Sequence, residues 1–294
     1  MIAESELILR PDGSLYHLHL LPGQVAETII TVGDPERVQQ VSRRFDRVEL
    51  RVEAREFVTH TGELNGKRLT VISTGIGTDN VDIVINELDA LFNIDLHRRE
   101  IKEELISLDF LRLGTSGAFQ HDLPLDSFVL SRAALAADGL LPFYLSTGEP
   151  DPLAITLIDH LDEQRVRLPV APLIVRPELP DFLSQPAARS LTGGITLTAA
   201  GFYAPQGRSL RLPAGMNPAI LDALRQFHAD DLRITNIEME TSGIYGLTHL
   251  LGHRAASLSA LLANRALGTF SRQPGNTVEA LIDLGLELAT APAG

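Results

Sequence analysis

Two glutamates flank a methionine in the stretch TNIEMETSG, residues 235–243, which ends an apolar run and precedes a predicted helix. If the stretch is extended, Glu238 and Glu240 share one face and Met239 lies on the other. Two carboxylates on one face can accept hydrogen bonds from the hydroxyls of a vicinal diol. A salt bridge for Glu238 and a favourable helix-dipole position for Glu240 are the alternative interpretations.

Three glycine-containing segments follow predicted strands, namely GDPER at 33–37, STGIG at 73–77 and RLGTSGA at 112–118. After Gly33, backbone N–H groups at a helix N-terminus and the Arg37 side chain can face one anion. We interpret RLGTSGA as a second loop of this kind, in which Arg112 and the hydroxyls of Thr115 and Ser116 are available to a phosphate. Each segment alone fits an ordinary turn, but two arginines among three such segments favour an oxyanion site.

The segment GFYAPQGR, residues 201–208, closes another predicted strand. Phe202 offers a stacking surface, and Gln206 and Arg208 are planar hydrogen-bonding groups. An amide beside a guanidinium suits recognition of a planar ring with carbonyl and imide edges. A solvated loop is the alternative interpretation.

Two segments nearer the N-terminus carry further polar groups. In YHLHL, His17 and His19 share a face if the segment is extended, but no third ligand lies nearby in the sequence, so we predict no zinc site. In AREFVTH, Arg55 and Glu56 point to opposite faces if the segment is extended, and a cross-strand ion pair is the commonest explanation for them.

The elements that position these groups alternate between strands and helices. We predict strands at 28–32, 110–113, 127–131, 170–175, 195–199, 233–237 and 255–263, and a hairpin turn at Asn65-Gly66 between strands within 48–73. We predict helices after an Asp34 N-cap, through 81–91, and at 155–161, 217–227, 242–251 and 277–289. This alternation predicts an α/β fold with helices on both faces of a sheet and ligands at the carboxyl ends of strands. The absence of repeats and linkers favours one domain, residues 1–294.

Composition excludes several classes of function. The 294 residues include 25 Lys+Arg and 38 Asp+Glu, and a net charge of −13 argues against nucleic acid or an anionic membrane as partner. There is no cysteine and hence no disulfide or thiolate chemistry. We see no signal peptide and no apolar segment long enough to span a bilayer, and therefore expect a cytoplasmic protein.

Taken together, the motifs resemble those of a known family. The matching segments, in order, are YHLHL, VGDPERV, REF, STGIGTDN, FLRLGTSGAFQ, FYAPQGR, NIEMETSG and ANR. They are similar to the nucleoside phosphorylase family in its trimeric or hexameric branch, and most closely to its uridine phosphorylases. The resemblance implies a single-domain, three-layer α/β/α fold with a central mixed, partly barrel-like sheet flanked by helices.

The resemblance also implies a role for each matching residue. The residues that would bind phosphate are Gly33, Arg37, Arg55, Arg112 and Thr115. Those that would bind ribose are His17, Glu238, Met239 and Glu240, and those that would bind the base are Phe202, Gln206 and Arg208. Among them, Arg37, Arg112, Thr115 and Arg208 would act in catalysis. In this family the residues at the positions of His17 and Arg55 reach in from a neighbouring subunit. The resemblance therefore implies a homo-oligomer that is at least a two-fold dimer, and we expect a hexamer built as a trimer of dimers.

The implied reaction is phosphorolysis of uridine to uracil and ribose 1-phosphate by a pentosyltransferase. Purine-specific relatives place an aspartate where this chain has Asn264, and an amide cannot serve as that acid, which favours uracil. The segment GIYG, residues 243–246, is closer to the purine branch. A purine nucleoside phosphorylase, a nucleoside hydrolase and a non-catalytic nucleoside-binding protein are the alternatives.

No cofactor is implied beyond inorganic phosphate as co-substrate, and no fixed metal site. In some relatives a monovalent cation such as potassium lies between subunits, near the positions of Glu56, Ile76 and a serine that here is Asn80. That substitution counts against the cation in this chain.

Overall fold

A computed structural model describes residues 1–144 and 149–291 of the chain. The last three residues of the predicted domain lie outside the described residues. The strands are β1 Thr28–Val32, β2 Arg47–Ala54, β3 Phe57–Leu64, β4 Lys67–Ser73, β5 Ile94–Asp95, β6 Glu100–Ile101, β7 Asp109–Ala118, β8 Phe128–Ala137, β9 Leu173–Val175, β10 Thr192–Ala199, β11 His228–Ala229, β12 Leu232–Glu238, β13 Arg254–Asn264 and β14 Thr269–Phe270. The α-helices are α1 Pro35–Ser42, α2 Thr78–Asn93, α3 Pro152–Glu163, α4 Pro186–Arg189, α5 Pro218–Gln226, α6 Thr241–Leu251 and α7 Pro274–Thr290.

One mixed sheet organises the chain, in the order β11-β12-β10-β8-β13-β7-β1-β4-β3-β2. Strand β12 also pairs with β7, so that β12, β10, β8, β13 and β7 close into a five-stranded ring. Strands β1 and β4 continue from this ring in parallel to β7, and β3 and β2 follow in antiparallel pairs. The partly barrel-like mixed sheet that the resemblance implies is therefore confirmed.

Helices cover both faces of the sheet through separate apolar clusters. Helices α2 and α6 pack on one face, through residues that include Val84, Leu88 and Tyr245. Helices α1 and α7 cover the other face, with Val38 and Leu281 among the buried residues. Helices α3 and α5 pack a third cluster against β8, β10 and β12. Burial of these apolar faces is the main force that holds helices on the sheet.

Local signals in the sequence account for several boundaries. The Asp34 carboxylate accepts a hydrogen bond from the Glu36 backbone N–H, and Pro35 begins helix α1 at a position where no N–H is needed. Asn65 and Gly66 have φ of 52° and 76°, the left-handed conformation that a two-residue hairpin turn requires. Both predictions are confirmed.

The interpretation of RLGTSGA as a loop is wrong. Residues 112–118 belong to β7, which continues to Ala118 because it pairs with β13 along its length and with β12 at its end. Glycine here does not end the strand; it makes room for neighbouring side chains, since a Cβ on Gly114 would lie 1.7 Å from Arg112 Nη1.

Three smaller expectations also differ from the structure. The strand predicted at 170–175 is shorter, and the segment AREFVTH is not continuously extended, because residues 55–56 form the turn between β2 and β3 with Arg55 at a φ of 57°. His17 lies in a turn, so the condition under which His17 and His19 would share a face is not met. Among the described residues, no helix is both long and apolar enough to cross a membrane.

Candidate active site

A cavity of about 1060 Å³ opens where the ends of several sheet strands meet. The predicted residues that line it are Gly33, Arg37, Arg112, Thr115, Phe202, Gln206, Arg208, Glu238, Met239 and Glu240. They come from the exits of β1, β10 and β12 and from the interior of β7. Segments far apart in the chain therefore converge on one space, as expected for a sheet that collects ligand-binding groups at its strand ends.

The guanidinium of Arg112 lies between two buried carboxylates. Its Nη2 is 2.6 Å from Glu240 Oε2 and 3.0 Å from Glu238 Oε2, and its Nη1 donates to Ser259 Oγ at 3.3 Å. Arg112 is only 4% exposed. Burial lowers the pKa of Arg112, but Glu238 and Glu240 outweigh that effect and leave the pKa of Arg112 raised. Gly114 makes this arrangement possible, because any side chain there would meet the guanidinium.

Both carboxylate oxygens of Glu238 already accept hydrogen bonds from other groups of the chain. It accepts hydrogen bonds from the hydroxyls of Thr198 and Thr241 and from the backbone N–H groups of Glu240 and Thr241. With Arg112 these donors fill both oxygens and satisfy N–H groups at the start of helix α6. Burial raises the pKa of Glu238, and Arg112 opposes that shift. Glu238 is thus placed to hold the start of α6 and Arg112 together.

Glu240 retains more capacity for a ligand. Its Oε1 accepts from the Gly77 backbone N–H at 2.8 Å and its Oε2 from Arg112. A carboxylate has about four lone-pair sites, so two remain on Glu240. The Gly77 contact ties this carboxylate to the turn between β4 and α2.

A second arginine, Arg37, follows the end of β1 and lines the cavity near Arg112. Arg37 donates from Nη1 to the Leu113 carbonyl oxygen at 3.3 Å and is half-buried. Burial lowers the pKa of Arg37. Gly33 and Thr115 line the cavity beside it. Two guanidinium groups and the Thr115 hydroxyl can together bind an oxyanion. The N–H groups of Glu36 and Arg37 at the start of α1 are already bonded to Asp34, so the predicted contribution of this helix N-terminus is not seen.

The opposite end of the cavity carries planar donors. Arg208 Cζ lies 3.8 Å from the centre of the Phe202 ring, and Arg208 Nη1 donates to Gln206 Oε1 at 2.5 Å. The Gln206 amide is therefore oriented with its oxygen towards Arg208 and its Nε2 free to donate. Burial, with a contribution from Arg265, lowers the pKa of Arg208 to about 10, which still leaves it protonated at neutral pH.

Arg265 is a lining residue to which the sequence interpretation gave no role. Its Nη2 donates to the Gln206 carbonyl oxygen at 2.9 Å, and its Nη1 is buried without a hydrogen-bond partner in the part of the chain that the structure describes. Its place in the ANR motif, directly after Asn264, is the one feature of the sequence that could have indicated a role in the site. Gly117 lies under the Arg265 side chain, and a Cβ at position 117 would lie only 2.9 Å from Arg265 Cγ.

Two predicted residues lie away from the cavity of their own chain. His17 Nδ1 is 2.5 Å from Glu87 Oε1, and the Tyr16 ring lies beside both the His17 ring and the Arg55 guanidinium, at 5.0 and 5.6 Å. His17 and Arg55 are thus gathered around one half-exposed tyrosine. Neither lines the cavity described above.

The three residues named for a monovalent cation do come together. Glu56, Ile76 and Asn80 all line the cavity, and a Cβ on Gly75 would meet both Asn80 Nδ2 and Glu56 Cγ. Within residues 1–144 and 149–291, no group of three or more His, Cys, Asp or Glu side chains is arranged to hold a metal ion. The expectation that Asn80 disfavours a monovalent cation here stays a prediction.

Comparisons with known proteins agree on the family. A family model described as the phosphorylase superfamily matches residues 27–286. The uridine phosphorylase of Thermococcus kodakarensis is 30% identical over 89% of this chain and 81% of its own length. A DeoD-type purine nucleoside phosphorylase of Alkaliphilus metalliredigens is 24% identical over 93% of this chain and 98% of its own.

A solved structure gives the same result. A Trypanosoma brucei nucleoside phosphorylase, which shows uridine phosphorylase activity, superimposes with a TM-score of 0.84 at 26% identity and covers 97% of this chain and 100% of its own. Because the family model and these relatives span most of the sequence, the chain belongs to the phosphorylase superfamily and is a nucleoside phosphorylase, a pentosyltransferase.

Proposed function

We propose that this protein cleaves uridine with inorganic phosphate, giving uracil and ribose 1-phosphate, a step of nucleoside salvage. The observation that carries the proposal is the set of donors at the base end of the cavity. Gln206 Nε2, Arg208 and the unpartnered Nη1 of Arg265 can only donate hydrogen bonds. Uracil presents two carbonyl oxygens that can accept from this set, and its N3–H can donate to the second lone pair of Gln206 Oε1.

Asn264 supports the choice of a pyrimidine. Its Nδ2 donates to the Gln120 and Leu123 carbonyl oxygens, and its Oδ1 accepts from the backbone N–H groups of Ala266 and Leu267. All of its hydrogen-bonding groups are therefore occupied, and an amide has no proton to give to a purine leaving group.

The oxyanion end suits phosphate. Gly33, Arg37, Arg112 and Thr115 border one part of the cavity, next to Glu240. In our proposal Glu240 accepts from a ribose hydroxyl, while Glu238 acts by holding Arg112 and the start of α6. Met239 lines the cavity between them and would border the same ribose position.

The proposed reaction is a displacement at C1′ of the ribose. The bond from C1′ to the ring nitrogen of uracil breaks and its electron pair moves into the base, towards the carbonyl oxygens that Arg208, Gln206 and Arg265 face. A phosphate oxygen forms the new bond to C1′, and the proton that hydrogen phosphate gives up on becoming an ester balances the one that the released uracil anion takes up. Positive charge on the sugar is stabilised by the phosphate, and negative charge on the base by the donors. No organic cofactor is needed.

A substrate panel with and without phosphate tests this function directly. We expect uracil release from uridine, followed by ultraviolet absorbance, to require added phosphate and to exceed base release from inosine. Equal rates in phosphate-free buffer would indicate a hydrolase. Faster cleavage of inosine would reject the pyrimidine assignment, and tight uridine binding without any product would indicate a binding protein.

We also propose that His17 and Arg55 complete the cavity of a neighbouring subunit in a hexamer. Their position outside the cavity of their own chain, around Tyr16, supports this. Mixing Arg55→Ala with Arg208→Ala subunits should then restore activity, because some cavities receive intact residues from both chains. Light scattering that gives a monomer, or mixtures no more active than their components, would contradict the proposal.

A further inference from the structure

A chain of polar side chains runs through the interior of the five-stranded ring. The Thr196 hydroxyl donates to Asn236 Oδ1 at 2.8 Å, and Ser131 Oγ lies 2.5 Å from Thr196 Oγ1. Since the hydrogen of Thr196 is committed to Asn236, Ser131 must be the donor to Thr196. Ser131, Thr196 and Asn236 are all fully buried.

Asn236 connects this chain of hydrogen bonds to a residue that lines the cavity. Its Oδ1 also accepts from the Thr235 hydroxyl at 3.0 Å, and its Nδ2 donates to Ser116 Oγ at 3.0 Å. The Thr235 hydroxyl shares its hydrogen with the Ile195 carbonyl oxygen at 3.3 Å, so the Thr196 hydroxyl is the donor that fixes the orientation of the amide, with its nitrogen towards Ser116. Strand β12 is itself held on both sides, with Asn236 paired to Thr196 of β10 and Ala118 of β7.

Ser116 is where the chain of hydrogen bonds ends. It lines the cavity, is half-buried, and its oxygen accepts from Asn236. Among the described residues its hydroxyl hydrogen has no acceptor, so that hydrogen is available to a ligand. Each buried member of this chain has a hydrogen-bond partner within the described residues, and the chain ends at the cavity. Buried polar networks cost free energy unless they are hydrogen-bonded, so a chain that ends in an available donor points to a ligand.

We infer that Ser116 donates a hydrogen bond to an acceptor oxygen of the bound substrates, and that Asn236 is a positioning residue that fixes Ser116 in this donor orientation. The inference rests on the proposed function. Ser116 lies between Thr115, on the oxyanion side, and Gly117, which lies under Arg265. The acceptor is accordingly a carbonyl oxygen of the base or an oxygen of phosphate.

Steady-state kinetics of Ser116 variants test the contact. We expect Ser116→Ala to lower kcat/KM about tenfold, the scale of one neutral hydrogen bond, while Ser116→Thr keeps the hydroxyl and stays near wild type. A rise in the KM for uridine identifies the base carbonyl as acceptor, and a rise in the KM for phosphate identifies phosphate. Ser127→Ala, which removes a hydroxyl bonded only to the Pro124 carbonyl oxygen, is the matched control and should leave kcat/KM unchanged.

A double-mutant cycle tests the positioning role. If Asn236 acts through Ser116, Asn236→Ala should cost about as much as Ser116→Ala, and the double variant should be no worse than the poorer single variant. Asn236→Asp can only accept, so it should draw the Ser116 hydrogen away from the substrate and behave like Ser116→Ala. Thermal unfolding of each variant separates loss of fold from loss of contact.

The outcomes separate this inference from the function on which it rests. Wild-type protein without phosphorolytic activity would reject the function. An active wild type with Ser116→Ala at full kcat/KM would overturn the contact alone. Additive losses in the cycle would overturn the positioning role of Asn236.

Discussion

Replacement of Arg112 by methionine is expected to lower kcat/KM by about 10³-fold and to destabilise the fold by about 3–5 kcal/mol. The rate falls because the variant loses a buried donor aimed at the proposed phosphate. Stability falls because Glu238 and Glu240, which are 4% and 7% exposed, lose the cation between them. Steady-state kinetics and urea unfolding measure the two effects.

The loss of stability in Arg112→Met should depend on pH in a defined direction. Burial raises the pKa of Glu238, and removal of Arg112 removes the largest effect that opposes this shift. A carboxyl whose pKa is raised in the folded state binds its proton more tightly there than in the unfolded chain. The variant should therefore approach wild-type stability as pH falls, and lose stability as pH rises through the raised pKa.

Arg233→Met provides the matched control. Arg233 also lies on a strand of the ring, but its ion pair with Asp122 is at the surface. Surface pairs contribute about 0–1 kcal/mol, so this variant should keep its activity and nearly all of its stability. Equal losses of stability in the two variants, or a pH-independent loss in Arg112→Met, would contradict the stabilising role assigned to Arg112 between Glu238 and Glu240.

The sequence predicted the elements of this fold better than it predicted their closure. Periodicity and caps located helix α1 and the hairpin at Asn65-Gly66, because both depend on neighbours in the chain. The closure of β12 on β7 depends on pairing between residues over 100 positions apart, as with Ile237 and Gly117. No local pattern carries that information, so the glycines of residues 112–118 predict a loop where the structure has a strand.

The candidate site shows the same division. Motifs identified ten residues that line the cavity, because each motif combines hydrogen-bonding or charged side chains with the end of a predicted strand, but they gave Arg265 no role. They could not show that Glu238 is consumed by hydrogen bonds at the start of α6, or that Arg112 lies against Gly114. Those facts arise from packing between strands, and they change the expected ribose contact from two glutamates to mainly Glu240.

Replacement of Arg208 by alanine should lower kcat/KM for uridine by about 10²–10³-fold and change the KM for phosphate by less than about twofold. Arg208 covers the Phe202 ring and orients the Gln206 amide through its bond to Oε1, and in the proposed function it donates towards the leaving base. Its removal leaves the amide free to turn its oxygen towards the carbonyl of the base, where it repels. The phosphate end, with Arg37 and Arg112, is untouched.

Arg211→Ala isolates this effect from a general loss of positive charge in the loop. Arg211 follows Arg208 by three positions, is exposed and does not line the cavity, so its removal should leave both KM values unchanged. A rise in the KM for phosphate as large as that for uridine in Arg208→Ala would mean that Arg208 serves the oxyanion and not the base. Full uridine turnover in Arg208→Ala would show that neither Arg208 nor the Gln206 orientation it fixes is needed to recognise the base. The inference of a pyrimidine substrate from this set of donors would then fail.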